Sequence, residues 1–166
     1  MMDFKSTVQT TVQQGFIKRI ADDILQGIDK VRNNPKMSSR RWLWEMMQNA
    51  RDVPNNWEGV GIKIILDQAS LKFCHNGNPF SLLNLTNLIL QVSSKDEEAD
   101  DKFVGKFGTG FLVTHLLSKN LNLKGILQTP DNSHYKFCIE IARSADNSKD
   151  LQSAINAVIQ ELESID

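Results

Sequence analysis

At 166 residues the chain is long enough for one domain with a sizeable core. Nineteen basic against twenty acidic residues leave a formal net charge of −1, so the electrostatic footprint of a nucleic-acid binder is missing. No apolar run approaches bilayer length, residues 1–14 are polar with no signal-peptide core, and Cys74 and Cys138 are not closely spaced. The expectation is a reduced, cytoplasmic protein with no membrane segment.

Residues 6–33 place Ile17, Ile20, Ile24, Ile28 and Val31 at helical spacing with charges between them, which predicts a long amphipathic helix. Gly15 either divides it or marks its start. Such a helix can pack on its own domain, or swap or pair between the subunits of a homodimer. Asn33, Asn34 and Pro35 end it, and Ser38 or Ser39 can cap the next helix, which runs through Arg41 to Asp52 and closes at Pro54 to Trp57.

Residues 60–66 and 71–75 read as strands of an antiparallel hairpin across the turn 67–70, and the second strand runs into the turn Asn76-Gly77-Asn78-Pro79. Ser81 caps a helix holding Leu82, Leu85, Leu88, Ile89 and Val92. Residues 93–102 are polar, acidic and aperiodic, as expected of a surface loop. Gly105, Gly108 and Gly110 then precede an apolar stretch, 111–117, that reads as a helix. Residues 121–127 and 135–141 read as two more strands joined by 129–132, and Leu151, Ile155, Val158, Ile159 and Leu162 mark a terminal helix over 149–165. This order predicts one α+β domain over 1–166, a two-layer α/β sandwich with helices on one face of a mostly antiparallel sheet.

Two features carry chemistry. Glu45 and Asn49 are four residues apart, so both lie on one helical face. A carboxylate that takes a proton from water, one turn from an amide oxygen that ligates Mg²⁺, is half of a nucleotide-hydrolysing site. A lone helical glutamate is more often merely solvated, and the glycine run is what changes that balance. In Val104-Gly105-Lys106-Phe107-Gly108-Thr109-Gly110-Phe111, glycines permit backbone N–H groups to converge on an anion at a helix start, with Lys106 nearby. The run is not a P-loop, because Phe111 stands where the lysine should follow, and its glycine spacing is not that of a dinucleotide fingerprint.

The words His75-Asn-Gly-Asn-Pro-Phe80, Ser93-Ser-Lys95 and Gly105-Lys-Phe-Gly-Thr-Gly-Phe-Leu112, following Glu45 and Asn49 in order, resemble the ATPase superfamily of DNA gyrase, the ninety-kilodalton heat-shock chaperone, sensor histidine kinases and MutL. They look most like its sacsin-like, chaperone-type branch. The resemblance covers about residues 38–142. It implies a Bergerat ATP-binding fold in which Glu45 is the general base, Asn49 binds Mg²⁺ and the nucleotide, Ala50, Asp52, His75, Gly77 and Pro79 line the nucleotide pocket, and Gly105 to Phe111 bind it by their backbone: Gly105, Gly108 and Gly110 at the phosphates, with Lys106, Phe107, Thr109 and Phe111 beside them. It further implies that 93–104 is a lid and that ATP and ADP are the ligands, with the rest of a longer polypeptide or protein clients as partners. His75 replaces the family's usual aspartate, although a neutral imidazole keeps one acceptor nitrogen for the adenine amino group.

The superfamily's further strands have no counterpart after Ile141, so the chain reads as a truncated fold, the amino-terminal part of a longer protein. A non-hydrolysing nucleotide-binding or interaction module of the same fold is the alternative. Histidine-kinase catalysis is the weaker third reading, since no phospho-acceptor helix is evident.

Overall fold

The computed structural model describes residues 4–33, 41–55, 59–91 and 109–165, and its architecture is α+β. Helix α1 (Phe4–Arg32) passes straight through Gly15, where an added Cβ would meet nothing within 4 Å. Gly15 therefore neither divides nor starts the helix. Lys30 and Arg32 in its last turn complement the negative end of the helix dipole. Its buried face is Ile17, Ile20, Ala21, Ile24 and Ile28.

Helix α2 (Arg41–Arg51) closes as Asp52 N still donates to the Gln48 carbonyl (3.0 Å), and Val53 N reaches back only to Ala50 (3.4 Å) before Pro54. The candidate capping serines 38 and 39 and Trp57 lie outside the described residues. Strands β1 (Ile62–Leu66) and β2 (Leu71–His75) form the expected antiparallel hairpin, with Ile62 opposite His75 and Leu66 opposite Leu71. Asp67 shapes the turn: its Oδ1 accepts from Ala69 N (2.9 Å) and Ser70 N (2.7 Å). Those bonds to the carboxylate, Ala69 foremost, hold its pKa below the usual value.

The two-residue strand β3 (Phe80–Ser81), which hydrophobic periodicity is too short to detect, runs parallel to β4 with Phe80 opposite Leu127. Helix α3 (Leu82–Leu90) starts as predicted: the Ser81 hydroxyl accepts from Asn84 N at 3.1 Å. The apolar stretch expected to be a helix over 111–117 begins earlier, as one α-helical turn α4 (Thr109–Leu112), and then tightens into a 3₁₀ turn over Val113–Leu116. The Thr114 hydroxyl bonds the Phe111 carbonyl within that tighter turn.

Strands β4 (Asn120–Gln128) and β5 (His134–Ala142) pair antiparallel, and their side chains alternate strictly. Leu121, Leu123, Leu127, Phe137, Ile139 and Ile141 face inward, while Asn122, Lys124, Lys136 and Glu140 face out. Gly125 stands opposite Phe137, and a Cβ there would lie 3.0 Å from the ring. The space it leaves lets Phe137 meet Phe80 edge-on at 5.7 Å, which ties β3 to the sheet.

Helix α5 (Ser148–Glu163) is capped by Asn147, whose Oδ1 accepts from Asp150 N at 3.0 Å. Along its single apolar face, Leu151 and Ile155 pack with α1, Leu90 and Leu112, whereas Val158 and Leu162 pack with α3 and the sheet. The strands thus fall into two small sheets, β1-β2 and β3-β4-β5, with helices on one face of the larger. Among the described residues no helix is long and apolar enough to cross a membrane.

Arg143, 2% exposed, closes the carboxyl end of α3: its Nη2 donates to the Ile89 carbonyl at 2.6 Å and its Nη1 to Ala142 at 3.1 Å. Burial lowers its pKa to about 10, which leaves it charged at neutral pH. Nearby His115 is buried, and among the described residues neither ring nitrogen has a partner in hydrogen-bonding geometry. Burial first, and then the Arg143 charge, push its pKa down to about 4, so it is neutral.

Candidate functional site

Helix α2 holds the two ends of the candidate site. Near its start, Arg41 Nε donates to Glu45 Oε1 at 2.7 Å, an i, i+4 ion pair. The other carboxylate oxygen, Oε2, lies against the main chain of Gly110. A Cβ at residue 110 would overlap Oε2 and sit 2.8 Å from Glu45 Cδ. Only glycine lets α2 and α4 approach so closely with the carboxylate between them. The last glycine of the glycine-rich run and the proposed base, distant in sequence, are therefore neighbours in space.

Asn49 lies one turn further along α2 and is half-buried. Among the described residues its amide makes no hydrogen bond, which leaves Oδ1 open to a ligand. Ala50 is fully buried, so it shapes the wall behind the site. Asp52 has a long contact with Arg51, 3.8 Å from Nε to Oδ1.

At the other end of α2, Val53 meets the turn after β2. Asn78 N donates to the Val53 carbonyl at 3.0 Å, Gly61 N donates to Asn76 Oδ1 at 2.7 Å, and Asn76 N donates to the Gly61 carbonyl at 3.3 Å. A Cβ at Gly77 would overlap the Val53 carbonyl oxygen and stand 2.9 Å from His75 Nδ1. Gly77 is required for this close approach, since no described glycine has a positive φ. Eight residues separate Glu45 from Val53, a helical rise of about 12 Å. Gly110 and Gly77 thus meet α2 at opposite ends, Gly110 at Glu45 and Gly77 at Val53.

His75 departs from the simple expectation. Its Nδ1 already accepts from Gly77 N at 3.2 Å. In the neutral ring the proton then sits on Nε2, so His75 offers a ligand a donor rather than the acceptor that the adenine amino group needs. Partial desolvation lowers its pKa, which favours that neutral form, although the residue as a whole is exposed.

Gly105, Lys106, Phe107 and Gly108, and the segment 93–104 read as a lid, lie outside the described residues; of Thr109 only the main chain is described. Phe111 is buried in the core beside Leu85, Leu88 and Ile89, so any contact it makes with a ligand is through its main chain. Pro79 is half-buried in the turn below Gly77. A concavity of about 470 Å³ lined by Trp44, Met47, Arg51, Pro54 and Ile62 lies on the other face of α2 and includes neither Glu45 nor Asn49.

Three contributors escaped the reading of the sequence. Arg41 was legible in principle from its opposite charge four residues before Glu45. Asn76 and the Val53 carbonyl were not, because both act through contacts made only in the folded chain. Comparison with protein-family models, with curated proteins and with solved structures finds no match to this chain.

Proposed function

We propose that this chain is an ATP-binding domain of the Bergerat type that hydrolyses ATP to ADP and phosphate with Mg²⁺, and that this cycle drives conformational change in a larger chaperone-like protein. One observation carries the reading: the Glu45 carboxylate rests on the main chain of Gly110, where the glycine-rich run enters its helix. In this reading Glu45 takes a proton from a water, whose oxygen attacks the γ-phosphorus as the bond to ADP breaks. Arg41 orients the carboxylate, and backbone N–H groups at the start of α4 stabilise the phosphate oxygens. Asn49, whose oxygen is uncommitted, fits a Mg²⁺ ligand; the ion when bound neutralises phosphate charge. Gly77 admits the base beside His75.

Glu45→Ala is expected to bind ATP in calorimetric titration within about threefold of the wild type and to lose roughly 10²–10⁴-fold in phosphate release. Wild-type turnover in that variant would remove the assigned role. The alternative, binding without turnover, is favoured by the engagement of both Glu45 oxygens, one with Arg41 and one on Gly110. ATP and ADP titrations with and without Mg²⁺, together with a phosphate-release assay, separate the two. Binding with no phosphate released selects the non-hydrolysing module, and no heat at millimolar nucleotide removes both nucleotide readings.

A further inference from the structure

The turn after β2 fixes the direction of one hydrogen-bond donor. His75 is the last residue of β2, opposite Ile62, and the residues that follow it are held from both sides. Gly61 N donates to Asn76 Oδ1 at 2.7 Å, Asn55 Nδ2 donates to the Asn76 carbonyl at 3.0 Å, and Asn78 N donates to the Val53 carbonyl at 3.0 Å. The Gly77 amide between them is left pointing one way, at His75 Nδ1, 3.2 Å off. A Cβ at Gly77 would stand 2.9 Å from that nitrogen, so the ring lies close against the turn.

A ring nitrogen that accepts a hydrogen bond carries no proton. Partial desolvation favours the neutral imidazole, and its one proton then sits on Nε2. Among the described residues nothing accepts from Nε2, and His75 is exposed. This N–H is therefore offered to whatever enters beside the turn. The nearest main-chain acceptors already have donors, Val53 from Asn78 and Asn76 from Asn55.

Purines differ in what they present at C6. Adenine carries an amino group, a donor, whereas guanine and hypoxanthine carry an oxygen, an acceptor. An amino group facing Nε2–H sets two donors against each other, while an oxygen completes the bond. For His75 to accept from adenine its proton must move to Nδ1, and the bond from Gly77 is lost. Because the flanking bonds hold the turn, the Gly77 amide finds no other partner. Forfeiting one such bond is worth roughly three- to tenfold in affinity.

Resting on the nucleotide reading above, we propose that the base end of this site selects 6-oxopurine nucleoside triphosphates, with His75 Nε2 donating to the C6 oxygen. ATP remains a ligand, the weaker one. The test is calorimetric titration of the whole chain, with Mg²⁺, by the non-hydrolysable β,γ-imido forms of ITP and ATP, which share their ribose and phosphates. The ITP form should bind about three- to tenfold tighter. His75→Asp, which offers only acceptors, should erase that preference and bring the ATP form to at least the affinity of the ITP form. His75→Ala should bring the two within about twofold. His75 is exposed, so neither variant touches the core, and the wild-type comparison decides even where a variant fails to fold. ATP binding as tightly as ITP or tighter in the wild type overturns the selection and leaves the nucleotide reading standing; the amino group then has another acceptor, such as Asp52, or Nε2 meets the ring nitrogen N1. An ITP preference that survives His75→Asp overturns the role of His75. No heat with either nucleotide at millimolar concentration removes the nucleotide reading and this selection together.

Discussion

Replacing Gly110 by alanine separates the site from the fold. The new Cβ would overlap Glu45 Oε2, so the carboxylate must retreat by about 1 Å to restore ordinary contact. The obstacle is the tip of a flexible side chain, and the exposed Arg41 pair that tethers it is worth at most about 0.5 kcal/mol. A rotamer displacement adds about 0.5–1.5 kcal/mol, while alanine in place of glycine inside the α4 turn returns up to about 1 kcal/mol. The net change in stability is thus within about 1 kcal/mol of zero. The catalytic cost is much larger, because a misplacement of this size in a general base costs on the order of 10²-fold in rate, or about 2.7 kcal/mol of barrier. Urea unfolding and ATP titration should therefore report a nearly wild-type protein, whereas single-turnover phosphate release falls about a hundredfold. Gly110→Ala turning over at the wild-type rate would refute the placement of Glu45 as the base. Unfolding of the variant would refute the claim that only a side-chain tip stands in the way.

Two further outcomes follow from the same contacts. His115 has a folded pKa of about 4 against 6.5 in the unfolded chain, so the unfolded state binds more protons below pH 6.5 and stability is lost as pH falls from 6.5 towards 4. Urea midpoints should correspond to about 2 kcal/mol less stability at pH 5 than at pH 7, and His115→Phe, which keeps the edge-on ring contact with Phe111, should flatten that difference. At Gly77 the obstacle to a Cβ is the Val53 backbone carbonyl, which cannot swing aside. Gly77→Ala should cost about 1–3 kcal/mol in thermal or urea unfolding, and a change under 0.5 kcal/mol would contradict the close approach of that turn to α2.

Much of the fold was legible because its signals are local. The apolar rows of α1 and α5, the Ser81 cap and the alternation in β4 and β5 each depend on residues a few positions apart. The departures come from longer range. Strand β3 exists because Phe80 finds Leu127 and Phe137, and two residues carry no period of their own. The described strands group into two sheets rather than one because β1 and β2 pair only with each other. Val113 to Leu116 tightens to 3₁₀, and the Thr114 hydroxyl bonds back to the Phe111 carbonyl within that turn.

The candidate site divides the same way. That Glu45 and Asn49 share a face follows from helical geometry alone, and so does the reach of Arg41 to Glu45, since all three lie within two or three turns. That Glu45 lies on Gly110 and Val53 on Gly77 required the packing of α2 against α4 and against the turn after β2, because each contact joins segments that the chain itself keeps apart. The hydrogen-bonding character of His75 was decided last of all: residue type allows either ring nitrogen to accept, and the Gly77 amide, placed by that turn, takes the Nδ1 lone pair and leaves a donor facing out.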